Sequence, residues 1–385
     1  SLNYNNLESV LEIADRANSV GLDIMLDFHY SDTWADPSNQ SKPSAWADLN
    51  FETLCDSVEQ YSRHVITKLK DQNTLPKYVQ IGNETDCGLL WPDGYVCDEF
   101  NNDSQWNKLG ALFMHAIDGV NSALDTQDTL EFISHVSSGG NWFFNNLIEQ
   151  GVEIDFLSIS YYPMWHGTFT DLIQNMNELG NEFQKPVLIV ETAYPFTLQW
   201  NDNTNNILGL ETQLLEDYEA SEEGQFSFLH DLITLVDEND HGSGICYWAP
   251  DWISTNQFGS PWENQALFNF DGELLDAISA FDNSSVSITK IDNYSFNNIY
   301  NYPNPFNPIT KLRYDLPEDA FVRITVYDML GKVVSNLLNT NQSSGNKSVQ
   351  WNATNNQGQS VSAGVYFYTI QVGDLVDTKK MVFLK

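Results

Sequence analysis

Positive charge is what this sequence has least of. Lys and Arg together number 17 against 53 Asp and Glu, a formal net charge of −36. A surface of that sign excludes nucleic acid and anionic membranes as partners recognised by charge. Long apolar runs are missing too. Nothing approaches the 18 or more consecutive residues of a membrane span. No stretch reads as a signal peptide, an absence of little weight because the chain opens on Ser1 rather than Met, in the run-up to a helix, and an upstream portion is expected. Cysteine is sparse: Cys55, Cys87, Cys97 and Cys246 show neither CxxC nor a Cys/His zinc spacing. A Cys87–Cys97 bridge and four free thiols are equally open readings, so the redox compartment stays undecided at this point.

Apolar and aromatic residues, by contrast, are plentiful. Hydrophobic residues make up 42% of 385, enough for one large domain and a small one, and 11 Trp and 17 Tyr cluster partly in segments that follow strands. Helical periodicity over Leu7 to Ala17 stops at Gly21, and Asp23 to Phe28 then reads as a strand. The same alternation continues along the chain, with strands expected near residues 25, 80, 132, 158, 189 and 246 and helices over 48–70, 104–122, 170–182, 225–237 and 273–281. Alternation of this kind implies parallel strands joined by right-handed crossovers. Polar and aromatic residues follow every strand, which favours a barrel over an open doubly wound sheet that gathers its ligand at one switch point. Eight strands close a barrel, so the first two are expected upstream of Ser1.

Two strands end in a carboxylate. Tyr78-Val-Gln-Ile-Gly-Asn-Glu-Thr85 stops at Glu84 after Asn83, and Lys185-Pro-Val-Leu-Ile-Val-Glu-Thr192 stops at Glu191. A single glutamate at a strand end is more often an ion-paired surface residue than a catalyst. A facing pair is the minimal equipment for hydrolysing a glycosidic bond, one as proton donor and one as nucleophile or base. Asp27, His29 and His135 occupy other strand ends, where a hydrogen-bonded structural histidine is as good a reading as a functional one. Trp91, in the loop beyond Glu84, is the aromatic residue best placed to stack on a sugar, ahead of Trp34, Trp142 and Trp252.

The tail differs. Its last 85 residues hold 8 of the 17 basic residues and 6 of the 53 acids, a charge of +2 against −38 for the rest. Leu312 to Leu316, Phe321 to Leu330, Ser348 to Trp351 and Val365 to Val372 alternate or run β-branched and aromatic, the pattern of an antiparallel sandwich. The expected layout is therefore 1–282 as a barrel, 283–300 as a linker and 301–385 as a small all-β domain without a catalytic cluster.

Taken together, Asp27-Phe-His-Tyr-Ser-Asp-Thr-Trp-Ala-Asp-Pro37, Ile81-Gly-Asn-Glu84 with Gly88-Leu-Leu-Trp-Pro92, Ser160-Tyr-Tyr-Pro163, Val190-Glu-Thr-Ala-Tyr-Pro195 and Tyr247-Trp-Ala-Pro-Asp-Trp252 resemble glycoside hydrolase family 53, the arabinogalactan endo-β-1,4-galactanases. The order and spacing fit residues 1 to about 282. The resemblance implies an α/β fold, a (β/α)8 TIM barrel lacking about its first two strands, that cleaves β-1,4-galactan with retention and needs no cofactor. It matches Glu84 to the acid/base and Glu191 to the nucleophile. Asn83 would bond the sugar's 2-hydroxyl, Tyr162 or Tyr161 would hold the nucleophile, Trp248 would floor the subsite, and Asp27, His29, Trp91 and His135 would line it. Another β-1,4-glycanase of the same clan, a mannanase or cellulase, and a glycan-binding barrel without catalysis are the rival readings.

There are departures from the pattern. An arginine on the family's second strand has no counterpart, which would leave the fragment inactive as it stands, and Ala249 stands where the family usually shows Glu. Bacterial members carry calcium; here Asp202, Asn203 and Asn205 offer oxygens without a recognisable calcium loop, so structural calcium stays open. The tail, through Tyr302-Pro-Asn-Pro-Phe-Asn-Pro308, Val326-Tyr-Asp-Met-Leu-Gly-Lys-Val-Val334, Gly364-Val-Tyr-Phe-Tyr368 and Lys379-Lys-Met-Val-Phe-Leu-Lys385, resembles the C-terminal sorting domain of type IX secretion. That implies the secretion machinery as a partner and a secreted or cell-surface location in a Gram-negative bacterium.

Overall fold

The computed structural model describes residues 6–255, 258–283, 300–316, 319–329, 331–372 and 375–384. Two compact units divide the chain, 1–217 with 231–272, and 218–230 with 273–385. The expected linker, 283–300, lies almost wholly outside the described residues.

In the first unit, helix and strand alternate as the periodicity predicts. Helix α1, Leu7–Ser19, opens on Asn6, whose side chain accepts the Ser9 N–H. Strand β1, Met25–Phe28, follows. Helix α2, Phe51–Asp71, is capped by Asn50 and buries Leu54, Val58, Val65, Ile66 and Leu69, a stripe at helical spacing. Strand β2, Tyr78–Ile81, comes next, and a two-residue hairpin, β3 Gly88–Leu89 with β4 Gly94–Tyr95, follows it. The Cys87–Cys97 disulfide, with Cα atoms 5.2 Å apart, ties the base of that hairpin. Then come α3 Asp103–Asn121, β5 Glu131–Val136, α4 Asn141–Glu149, β6 Phe156–Tyr161, the short α5 Pro163–His166, α6 Phe169–Phe183, β7 Val187–Thr192, α7 Glu222–Asp237, of which residues 231–237 are counted in this unit, and β8 Gly242–Tyr247.

The six long strands form one parallel sheet in the order β1-β2-β5-β6-β7-β8. Neighbours in the sheet are therefore neighbours in sequence, the arrangement of a barrel wall and not the switched order of a doubly wound sheet. β5 and β6 are buried along all but their first residue, as strands covered on both faces must be. The outer edges of β1 and β8 carry no partner strand among the described residues.

The second unit holds two antiparallel sheets. β9 Tyr300–Tyr302, β10 Thr310–Leu316 and β13 Gly345–Trp351 make one; β11 Ala320–Tyr327, β12 Val333–Gln342, β14 Gly364–Val372 and β15 Leu375–Phe383 make the other. Leu312, Tyr314, Val322, Ile324, Trp351, Tyr368, Ile370 and Met381 share one apolar core. Phe306, from the proline-rich segment, sits in that core against Trp351 and Phe383. Sequence periodicity locates four of these seven strands and misses β9, which is too short for a pattern, and β12 and β15, which are rich in polar and charged residues.

Candidate active site

β2 ends in a tight turn that aims the next two side chains back over the strand ends. Gly82 sits at φ 79°, and a Cβ there would run into the Thr85 methyl. Glu84 itself adopts φ 44°, a conformation an L-residue holds only when its surroundings impose it. Those surroundings are visible. Gln40 donates Nε2–H to the carbonyls of Asn83 (2.7 Å) and Glu84 (3.2 Å), and the Glu84 N–H donates to His135 Nδ1 at 3.2 Å. The Asn83 side chain, buried, donates to the Ala35 carbonyl at 2.9 Å.

Glu191 leaves the end of β7 and is 8% exposed. Tyr162 donates its hydroxyl to Glu191 Oε2 at 2.8 Å, and the Asn83 amide is a second donor to this carboxylate. Glu84 accepts from Ser160 Oγ at 2.7 Å. Ligand atoms of Glu84, His135 and Glu191 all lie within 4.8 Å of one another. By composition that trio could hold a metal, but Nδ1 of His135 faces two N–H donors and Nε2 bonds Ser160, so the imidazole has no free lone pair to offer. Burial first, then the nearby negative charges, pushes both carboxyl groups well above the usual carboxylate range. Such a pair titrates as a unit and keeps one proton between its members near neutrality. Two donors serve Glu191 against one side-chain donor to Glu84, which favours leaving the charge on Glu191.

Other residues singled out from sequence fall into two groups. Asn83, Glu84, Tyr162 and Glu191 converge. Asp27 and His29 stand one step back: His29 Nε2–H donates to Asp27 at 2.9 Å, and its Nδ1 accepts the Ala35 N–H at 3.2 Å, bracing the loop that holds Asn83. Burial lowers the His29 pKa, but the Asp27 carboxylate outweighs it and the net direction is up. His135, expected to line the cleft, is 0% exposed and sits behind Glu84; burial pulls its pKa down to about 3, so it is neutral. Tyr161, the alternative to Tyr162, points the other way, its hydroxyl on the Gly167 carbonyl at 3.1 Å. Trp91 is anchored through Nε1 to the Cys87 carbonyl and packs on Tyr95. Trp248 meets Trp34 edge-on at 5.4 Å, and Trp34, 52% exposed, stacks on Trp252 at 5.8 Å. Sequence reading missed Ser160 and Gln40. Ser160 was findable, because strand alternation puts it on the same face as Tyr162; Gln40 carried no signal.

Both Asp202 oxygens accept backbone N–H groups, from Thr204 and Ser260, while Asn203 and Asn205 are exposed.

Residues 308–374 match the FlgD Ig-like domain model. An arabinogalactan endo-beta-1,4-galactanase of Cellvibrio japonicus is 35% identical over 277 residues, covering 69% of this chain and 72% of that protein. Among solved structures, the GH53 catalytic domain of Ignisphaera aggregans superposes with a TM-score of 0.66 at 36% identity, covering 72% of this chain and 78% of that one. One of two fungal beta-1,4-galactanases gives 0.63 at 27% identity, covering 73% and 83%. Residues 1–281 match the model of glycosyl hydrolase family 53, and the chain belongs to that family.

Proposed function

We propose that this chain is an endo-β-1,4-galactanase that cleaves with retention, Glu84 acting as acid/base and Glu191 as nucleophile. The observation that carries this reading is the closeness of the two carboxylates, whose oxygens approach within 4.8 Å. Retaining enzymes hold their carboxyl groups about 5 to 5.5 Å apart, whereas an inverting enzyme needs about 6.5 to 9.5 Å to fit a water behind the sugar. Glu191 attacks the anomeric carbon while Glu84 gives its proton to the departing oxygen; water, deprotonated by Glu84, then releases the sugar. Asn83 is suited to bond the 2-hydroxyl and Trp248 to floor the subsite. Two carboxylates suffice for this chemistry without a cofactor.

The relatives' names support galactan as substrate over mannan or cellulose. Two further strands between β8 and β1 would complete the barrel, a reading supported by two open parallel edges and by apolar Ile13, Val20 and Leu22 left exposed around α1. The tail motifs and the disulfide support export to an oxidising compartment, with the second unit as the sorting signal.

NMR of the first-formed anomer during galactan digestion, on a chain carrying the complete barrel, tests the mechanism. A β product supports retention, and an initial α product sinks it. With the same protein, Glu191→Ala should lose all substrates, while Glu84→Ala should still transfer the sugar of aryl β-galactosides whose leaving group needs no proton. Equal loss on both substrate types contradicts the role given to Glu84.

A further inference from the structure

Behind Glu84 lies a polar chain that direct sugar contact does not explain. Ser160 Oγ is 2.7 Å from Glu84 Oε1, His135 Nε2 is 3.0 Å from Ser160 Oγ, and both Ser160 and His135 are essentially sealed from solvent. Proton positions along this chain follow from chemistry. A backbone N–H can only donate, so the Glu84 N–H at 3.2 Å makes His135 Nδ1 an acceptor, and Gln80 Nε2 at 3.3 Å is a second donor to it. The neutral imidazole then carries its proton on Nε2 and donates to Ser160 Oγ. Ser160 is left to spend its one hydrogen on Glu84 Oε1, which holds for the ionised carboxylate and for the acid with its proton on Oε2. Asn83 Oδ1, at 3.1 Å, is the one acceptor beside Nδ1 among the described residues, and it accepts from Gln80 Nε2 at 3.4 Å. A buried imidazole with a depressed pKa carries one proton, so every position in the chain is determined.

We propose that Ser160, oriented by His135, is a positioning residue that reserves Oε1 of Glu84 as a permanent acceptor, so that the transferable proton is carried on Oε2. This rests on the reading of Glu84 as general acid. In the first step the Oε2–H bond breaks and that proton forms the O–H bond of the leaving hydroxyl. The C1–O electron pair departs with the same oxygen, and Glu191 supplies the new bond to C1. Ser160 keeps donating to Oε1 throughout and stabilises the carboxylate that results. His135 adds a second hold, since its Nδ1 takes the backbone N–H of the strained Glu84 residue, fixing main chain and side chain from one ring.

The test is the pH profile of kcat/KM for Ser160→Ala on galactan and on an aryl β-galactoside with a good leaving group, again on a chain with the complete barrel. Groups facing Glu84 are Glu191 from β7, Tyr162 just beyond β6, His29 just beyond β1, and Asp36 and Asp86 from the adjoining loops, with Asp27 from β1 acting on Glu191; the substitution leaves all of them in place. Losing a donor to the carboxylate raises the Glu84 pKa, so the basic limb should move to higher pH. Activity on galactan should fall about 10- to 100-fold, the size of one hydrogen bond to a charged group, and clearly more than on the aryl substrate. Ser160→Thr, which keeps the hydroxyl, should restore the wild-type limb. Should Ser160→Ala fold poorly, Ser160→Cys, a weak donor of similar volume, should shift the limb the same way. An unmoved limb, equal loss on both substrates, or Ser160→Thr as impaired as Ser160→Ala overturns the proposal. Failure of the general-acid reading is distinguished by Glu84→Ala, whose loss of the aryl substrate would refute it whatever Ser160 does.

Discussion

Glu84 and Glu191 hold more negative charge than their surroundings welcome, and that cost is measurable. Burial, followed by the charge of Glu84, places the folded-state pKa of Glu191 above its unfolded value of about 4.3. For a raised pKa the sign is fixed: the stabilisation belongs to the protonated form, is complete below the unfolded value, and is lost as pH rises through the folded one. Glu191→Gln keeps acceptor oxygen for Tyr162 and Asn83 and removes the charge. It should melt like wild type near pH 4 and at higher temperature than wild type near pH 8, with about 2 to 4 °C for each kcal/mol relieved. Differential scanning calorimetry at the two pH values checks this; a variant less stable at pH 8 contradicts a buried, charge-strained Glu191. At this scale the legible residues were those that end an apolar run, because the change from Ile81 to Asn83-Glu84 and from Val190 to Glu191 is abrupt in composition. His135 looked identical to a cleft histidine in sequence. Only its 0% exposure separates a ring behind the acid from a ring before the sugar.

Between elements, the pleat decides what meets what. Ser158, Ser160 and Tyr162 share one face of β6 and its extension, and bond the Ser134 carbonyl, Glu84 and Glu191 respectively. Tyr161 faces the helices on the other side. Period-two alternation would have chosen Tyr162, but it carried little authority at a strand end where the register with β7 shifts between Ile159 and Ser160. The β3–β4 hairpin escaped notice because two residues are too few for any periodicity. The β2 turn, in contrast, makes a testable demand of Gly82. Its φ of 79° and the Thr85 methyl both oppose a Cβ. Gly82→Ala should cost roughly 1 to 3 kcal/mol and lower kcat more than it raises KM, since the turn sets the position of Glu84. Denaturant unfolding and steady-state kinetics measure the two effects; an unchanged kcat would show that the turn does not position the acid.

At the level of the whole chain, the six sequential parallel strands were readable from alternation alone, and the tail from its break in charge and period. What stayed hidden was burial and hydrogen-bond partnership, which depend on contacts far apart in sequence. If the second unit is the sorting signal proposed above, deleting residues 301–385 from the full-length protein should leave specific activity on soluble galactan unchanged and trap the enzyme in the periplasm of its host. Loss confined to insoluble galactan would instead mark the second unit as a polysaccharide binder. The aromatic trio has an optical consequence. Trp34 lies half in solvent and stacks on Trp252, with Trp248 at its edge. Indole emission from these three depends on the water around Trp34, so a sugar chain that dries this face reports its own arrival as a blue-shifted fluorescence, without a label.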